Sequence, residues 1–352
     1  MAAVLLYPSE VFAVSAQKAI VMDADTGNIL YEKQADCQSL IASCTKIMTA
    51  LVVAEQCNVL DRVRIPKEAV GIEGSSMYLR PEEILTVQEL LYGLMLHSGN
   101  DAAVALAIYC GGTVEGFAQL MNDKARMLGL TGSHFVNPHG LDAPGHYSTA
   151  KDLAVLASYA MKNPIFAQTV STKQVTVGNR YLTNHNKLLW QVDGADGVKT
   201  GYTKAAGRIL VSSAVRQGRR LVCVTIDDGN DWLDHKRFYD QFFPNYTPRK
   251  LVQAGDVMGQ LPVFGGTEQQ VTLLAAEDFS FALTPWETWE ICLQSRPFAY
   301  APVVENAAAG WAYVLVDGQC VGKVGLRYGN TVEQSIPEGK GFWERIFGGN
   351  KP

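Results

Sequence analysis

Apolar positions recur along the chain with two different periods, and the change from one to the other divides it. In "AIVMDADTGNILYEK" two alternating apolar runs flank "DTG", which predicts a β-hairpin near the start of the fold. From Ser43 onward Ile47, Met48, Leu51, Val52 and Val53 return at helical spacing, so residues 43 to 56 are expected to form a core helix. "TVQELLYGLML" opens with Thr86 and Glu89 in capping-box relation and should run as a helix to His97. "DAAVALAIYCGG" and "VEGFAQLMNDKARMLGL" carry the same period and close on glycines. "TAKDLAVLASYAM" predicts a further helix with Ser148 at its N-cap, and "DWLDHKRFYDQFF" a last one over residues 231 to 243. Between these two, "GRILVSSAVRQGRRLVCVTIDD" reads as a strand pair around "RQGR". Beyond about residue 250 the runs are short, rich in Val and Leu, and separated by Gly and Pro. That pattern predicts a small all-β domain, with a boundary at Asn245 to Pro248.

Composition adds limits rather than detail. The 352 residues, 47% hydrophobic and 18% charged, suffice for two globular domains with sizeable cores. A net charge of -5 without runs of Lys or Arg gives no field for a polyanion, so no nucleic-acid partner is expected. No segment reaches the roughly 18 apolar residues of a spanning helix. Residues 1 to 16 hold an apolar stretch followed by "VFA" and "VSA", which resemble a signal-peptidase site, so the expectation is export to an extracytoplasmic location. The seven cysteines are an odd number without metal-type spacing and read as small hydrophobes. His139 and His146 are the histidine pair to consider as ligands, but no helical ligand spacing accompanies them. Neither metal nor cofactor is expected.

Candidate chemistry begins with a serine three residues before a lysine, a spacing that occurs three times: Ser15 with Lys18, Ser43 with Lys46, and Ser148 with Lys151. Only Ser43 opens a strongly apolar helix, which would put its hydroxyl beside the Lys46 amine on one face. Apolar surroundings depress a lysine pKa and would let the amine take the serine proton. "SGN" at Ser98 to Asn100 follows a helix, and "KTG" at Lys199 to Gly201 directly precedes the strand pair. Ser-x-x-Lys, Ser-x-Asn and Lys-Thr-Gly, in that order, are the trio of penicillin-binding proteins and class A β-lactamases.

With "GSSMYLRPEE", "LHSGNDAAVALA", "FVNPHGLD", "STAKDLA" and "GVKTGYTKAAGR", the chain resembles the D-alanyl-D-alanine carboxypeptidases over roughly residues 18 to 330. These are low-molecular-mass penicillin-binding proteins that trim the cell-wall stem peptide. The resemblance implies an α+β fold of the β-lactamase/transpeptidase type over 17–247, with helices on a mainly antiparallel sheet. A small all-β domain follows over 248–335, then a tail over 336–352. It also implies the substrate, a peptidoglycan pentapeptide ending in D-Ala-D-Ala, and β-lactam antibiotics as covalent inhibitors. Ser43 would be the nucleophile and Lys46 the general base, with Ser98 relaying a proton alongside Lys199. Asn100 would hold the substrate amide, Lys199 and Thr200 of the Lys-Thr-Gly ending at Gly201 the terminal carboxylate, and the backbone N–H groups of Ser43 and Tyr202 the oxyanion.

The chain departs from the family pattern in two places. Some members carry arginine in "NRN" where this chain has "NHN", with His185; "DDGNDWLDH" lacks a second arginine that grips the carboxylate in others. Carboxylate recognition is therefore expected to rest on Lys199 and Thr200, with Arg208. A β-lactamase would add a glutamate in an E-x-x-L-N segment, absent between the Ser98 and Lys199 motifs; a slow penicillin-binding sensor is the other alternative. Phe342, Trp343, Ile346 and Phe347 stand at near-helical spacing, as a membrane-surface anchor or as a plain aromatic tail.

Overall fold

In a computed structural model of the chain, which describes residues 13–335, the first hairpin forms as its alternation predicts. Strands β1 (Lys18–Asp23) and β2 (Ile29–Lys33) pair antiparallel, with Ala19 opposite Lys33. Helix α1 (Lys46–Gln56) follows, then strands β3 (Arg62–Arg64) and β4 (Ile84–Thr86), which pair with each other. Next come α2 (Val87–Leu96), α3 (Asn100–Gly111), α4 (Val114–Met127), α5 (Ala150–Ala160) and α6 (Pro164–Ser171). The hairpin β5 (Gln174–Val177) and β6 (Arg180–Thr183) and the short α7 (Leu188–Gln191) lead into β7 (Ala195–Thr203). Strands β8 (Gly207–Arg216) and β9 (Arg219–Ile226) and helix α8 (Asp231–Phe242) complete this part.

The capping box on α2 is present in both directions, Glu89 N–H to Thr86 Oγ1 at 3.2 Å and Thr86 N–H to Glu89 Oε2 at 2.7 Å. The cap of α5 is Thr149, whose hydroxyl accepts from Asp152 N–H, and not Ser148 as expected. Ser148 is drawn off by Ser133, 2.7 Å away, and by backbone pairing with Ser39.

The main sheet is antiparallel throughout, in the order β2-β1-β9-β8-β7, with β7 at an edge. Its central strands are covered on both faces. Ile209 and Val211 of β8 belong to one apolar core with α1 to α5. Ser212, on the opposite face, bonds to His235 and Tyr239 of α8, each at 2.6 Å.

The chain divides into two units between Thr247 and Pro248. The second unit is all-β, as its short Val- and Leu-rich runs imply. It comprises β10 (Thr247–Val252), β11 (Val257–Phe264), β12 (Gln270–Ala275), β13 (Phe279–Leu283), β14 (Trp289–Ser295), β15 (Ala299–Tyr300), β16 (Ala308–Val316) and β17 (Gln319–Tyr328). Six strands form a sheet in the order β14-β16-β17-β12-β11-β15, over a core that includes Val271, Leu273, Val314 and Val324. The tail, with Phe342, Trp343, Ile346 and Phe347, and most of the leading segment lie outside the described residues.

Candidate active site

Ser43 is held by a tighter turn than its apolar spacing suggests. Residues Ala42–Thr45 form a 3-10 turn, and the α-helix starts only at Lys46. With three residues per turn, side chains three apart eclipse, which stacks Ser43 on Lys46 more closely than an α-helical turn would. Ala42 takes a left-handed φ of 44°, costly for a residue with a side chain, so the surroundings must impose the turn.

Two glycines and one loop do so. A Cβ on Gly140, whose φ is 87°, would overlap the Ala42 carbonyl and lie 2.7 Å from Thr45 Oγ1. A Cβ on Gly201 would lie 3.2 Å from both Cys44 Sγ and the Ile41 carbonyl. The loop "FVNPHGLD" adds hydrogen bonds, with Thr49 Oγ1 donating to the Pro138 carbonyl at 2.6 Å. His146 Nδ1 accepts from Val136 N–H at 3.1 Å, so its Nε2 carries the proton and donates to Thr45 Oγ1 at 2.7 Å. Burial pushes the His146 pKa down to about 4, which keeps this neutral tautomer. The histidines weighed as ligands thus buttress the nucleophile turn.

Lys46 is fully buried, and its amine has three neighbours: Ser43 Oγ at 2.9 Å, Asn100 Oδ1 at 2.7 Å and the His139 carbonyl at 2.7 Å. Two of these can only accept; the serine hydroxyl can also donate. Burial, and then the nearby Lys199 charge, holds the Lys46 pKa well below the ordinary lysine value. A neutral amine here gives its two N–H bonds to the two carbonyl oxygens and turns its lone pair to the Ser43 hydroxyl. Burial also lowers the His139 ring to about 4, with Lys46 adding to the effect, so that ring brings no charge of its own.

Ser98 also has a left-handed φ, of 60°, at the corner between α2 and α3. It lines the cleft but makes no direct hydrogen bond to Lys46 or Lys199, which lie buried behind the cleft wall. Asn100 is anchored within the protein: its Oδ1 accepts from Lys46, and one N–H of its Nδ2 donates to the Glu73 carbonyl at 2.5 Å, while the second N–H has no bond of its own among the described residues. Asp101, buried beside it, accepts from Ser76 Oγ at 2.6 Å, Met77 N–H at 3.1 Å and Leu79 N–H at 3.0 Å. That grip holds the "GSSMYLRPEE" loop, which brings Ser75 to the cleft.

Lys199 to Gly201 directly precede the strand pair β8 and β9, as expected, and themselves lie inside edge strand β7, which begins at Ala195. Lys199 is 2% exposed, and its amine donates to the Thr200 carbonyl at 2.9 Å. Burial pushes its pKa down to about 8. The carbonyls of Gly197 and Lys199 accept from Asn186 Nδ2 at 2.7 Å and Cys44 Sγ at 3.7 Å. Opposite Tyr202 in the ladder stands Arg208, paired through Nε at 3.2 Å and Nη2 with Asp231 at the start of α8. Sequence reasoning missed Asp231; the acidic residue opening "DWLDHKRF" was its one signal. His185 lines the same cleft, with its ring centre 5.2 Å from that of His97. The other two Ser-x-x-Lys matches are not pairs. Ser15 donates to Asp234 at 2.9 Å while Lys18 reaches Ser39, and Lys151 pairs with Asp36 at 3.2 Å.

A cleft of about 430 Å³ thus opens over a serine whose hydroxyl faces a buried, charge-averse lysine. A serine set against a lysine in this way is the arrangement of a serine hydrolase. The chain belongs to the D-alanyl-D-alanine carboxypeptidase family, whose model matches residues 7–230, and the model of the penicillin-binding protein 5 C-terminal domain matches 246–334. It is 34% identical to the D-alanyl-D-alanine carboxypeptidase DacF of Bacillus subtilis, over 87% of this chain and 83% of that one. To DacC of Escherichia coli it is 33% identical, over 95% and 87%. Among solved structures it is similar to penicillin-binding protein 5 from Haemophilus influenzae, with a TM-score of 0.68, 28% identity, and coverage of 93% and 100%.

Proposed function

We propose that the protein removes the terminal D-alanine from peptidoglycan stem peptides ending in D-Ala-D-Ala, through an acyl ester on Ser43, and that β-lactams acylate the same oxygen. The observation that carries this reading is the Lys46 amine, confined by two carbonyls so that its lone pair meets the Ser43 hydroxyl. Lys46 takes the Ser43 proton as Oγ attacks the carbonyl between the two D-alanines. The N–H groups of Ser43 and Tyr202 support the oxyanion, in line with the family resemblance. The ester forms as the C–N bond breaks, and the departing amine takes back a proton from Lys46, with Ser98 as a relay. Water then cleaves the ester. Lys199 and Thr200 hold the terminal carboxylate. Arg208 adds a cation from β8, aimed by Asp231, on the side where the arginines of other family members are missing. Asp231 is the one acid among the residues lining the cleft and is already committed to Arg208, which argues against rapid hydrolysis of a β-lactam ester.

Mass spectrometry of the penicillin adduct and an assay for released D-alanine test this together. The adduct is expected on the Ser43 peptide; an adduct on Ser15 or Ser148, or no D-alanine, would sink the assignment.

The two lysines set the pH profile. Lys46 must be neutral to accept a proton, so activity rises with pH as it loses its charge. Lys199 must be charged to hold a carboxylate, so kcat/KM should fall as pH passes about 8. In Lys199→Arg that alkaline limb is expected to vanish at a reduced maximum; a limb that stays near 8 would assign it to another group.

Action on the cell wall places the protein outside the cytoplasm, with a leader cleaved after Ala13. Ser15 N–H is held by Asp234 at 2.7 Å and Lys33 donates to the Ala16 carbonyl at 2.6 Å, so cleavage after Ala16 would remove parts of the fold. Residues 336–352 add a peripheral membrane contact. Recovery from producing cells checks both ends: Val14 is the expected first residue, and sedimentation with membranes should be lost on truncation after Ser335.

A further inference from the structure

Helices α1 and α3 begin with Lys46 and Asn100, which share the 2.7 Å hydrogen bond at the catalytic end. They have nearly equal lengths of 11 and 12 residues, about 16–18 Å at 1.5 Å per residue, and so run side by side in the same direction. At their far ends stand Cys57, the residue that caps α1, and Cys110, in the last turn of α3. Both are half-buried free thiols. The two thiols are close enough to perturb each other's ionisation, and Cys110 Sγ lies 3.7 Å from Oε1 of Gln56, the residue next to Cys57.

We propose that Cys57 and Cys110 are a disulfide-forming pair that locks α1 to α3 at the end opposite the Lys46–Asn100 contact. The bond needs the neighbouring sulfurs to close to about 2 Å, with both helix ends half-buried where they can yield. The oxidant is a disulfide donor of the kind present in an oxidising, extracytoplasmic compartment. The Cys57 thiolate attacks the donor, making a mixed disulfide and releasing one thiolate. Cys110 gives up its proton and attacks Cys57 Sγ in that mixed disulfide, expelling the second thiolate. The donor leaves as two thiols, and two protein thiols become one disulfide.

The order of attack follows from the contact. The contact with Cys110 lowers the Cys57 pKa and raises that of Cys110, so Cys57 is the thiol of the pair that ionises more readily and attacks first. Buried Cys44 is pushed up to about 12 and buried Cys223 is raised further, which leaves both unreactive.

The test uses the full chain with Cys37, Cys292 and Cys320, the exposed cysteines, changed to serine. Incubation with oxidised glutathione is expected to lower the intact mass by about 2 Da and to yield one crosslinked peptide joining Cys57 and Cys110. The midpoint of thermal unfolding should rise by roughly 5 °C and fall back on reduction, and Cys57→Ser should abolish both effects. Glutathione retained separately on each cysteine, or full alkylation of both after the incubation, would overturn the proposal, as would a crosslink without a thermal shift overturn the locking role. Mass and melting do not depend on the carboxypeptidase assignment.

Discussion

Lys46→Met is expected to lower the rate of Ser43 acylation by roughly 10² to 10⁴-fold, whether by peptide or by penicillin, the range by which a positioned general base accelerates proton transfer. Methionine matches the lysine stem as far as Cε, lacking only the amine, and belongs in an apolar site. The substitution strands the Asn100 and His139 oxygens that now accept from the amine, at a cost of about 1–3 kcal/mol each, offset in part because no amine is then held in a site that disfavours its charge. The variant should therefore fold, and the loss should lie in chemistry. Stopped-flow acylation with a chromogenic β-lactam reads it directly. Acylation within tenfold of the parent would mean that Lys199, by way of Ser98, is the base.

Gly140→Ala should act on the same serine from a distance. The new methyl would sit at a left-handed φ, costing about 1–2 kcal/mol, and against the Ala42 carbonyl and Thr45, where overpacking costs about 1–3 kcal/mol more. The turn can relieve that overlap only by moving, and a 1 Å displacement of a catalytic group costs about 10²-fold. A melting midpoint lower by roughly 5–10 °C and a kcat lower by about 10²-fold are expected. Gly178→Ala is the control: its φ of 58° is also left-handed, but nothing lies within 4 Å of the added carbon. If both variants lose the same amount, the turn is not what Gly140 protects.

These two residues mark how far the sequence could be read. The hairpin around "DTG", the capping box of α2 and the strand pair around "RQGR" were legible because each is decided by residues a few positions apart. Ser43 and Lys46 were legible as a pair, since three-residue spacing brings them together in either kind of helix. The 3-10 turn was not, because Gly140 and Gly201, 97 and 158 positions away in the chain, decide it. Asn100 illustrates the same limit. Its side chain bears both kinds of hydrogen-bonding group, and only the folded arrangement shows the oxygen turned to Lys46 and one N–H to Glu73. Strand β7 around Lys199 went unread because "ADGV", where it starts, has no alternating pattern. Asp231 went unread because an acid at a helix start has an adequate local explanation.

Strand β7 has a neighbour on one side only. A bare strand edge invites pairing with any extended chain, including another copy of the protein. Along β7 three backbone carbonyls are also engaged by side chains: Asn186 reaches that of Gly197, Cys44 that of Lys199, and the Lys199 amine that of Thr200. What remains is the stretch at Gly201 and Tyr202 that lines the cleft. A peptide arriving there finds a landing strip about two residues long, too short to template aggregation and long enough to register the end of a chain.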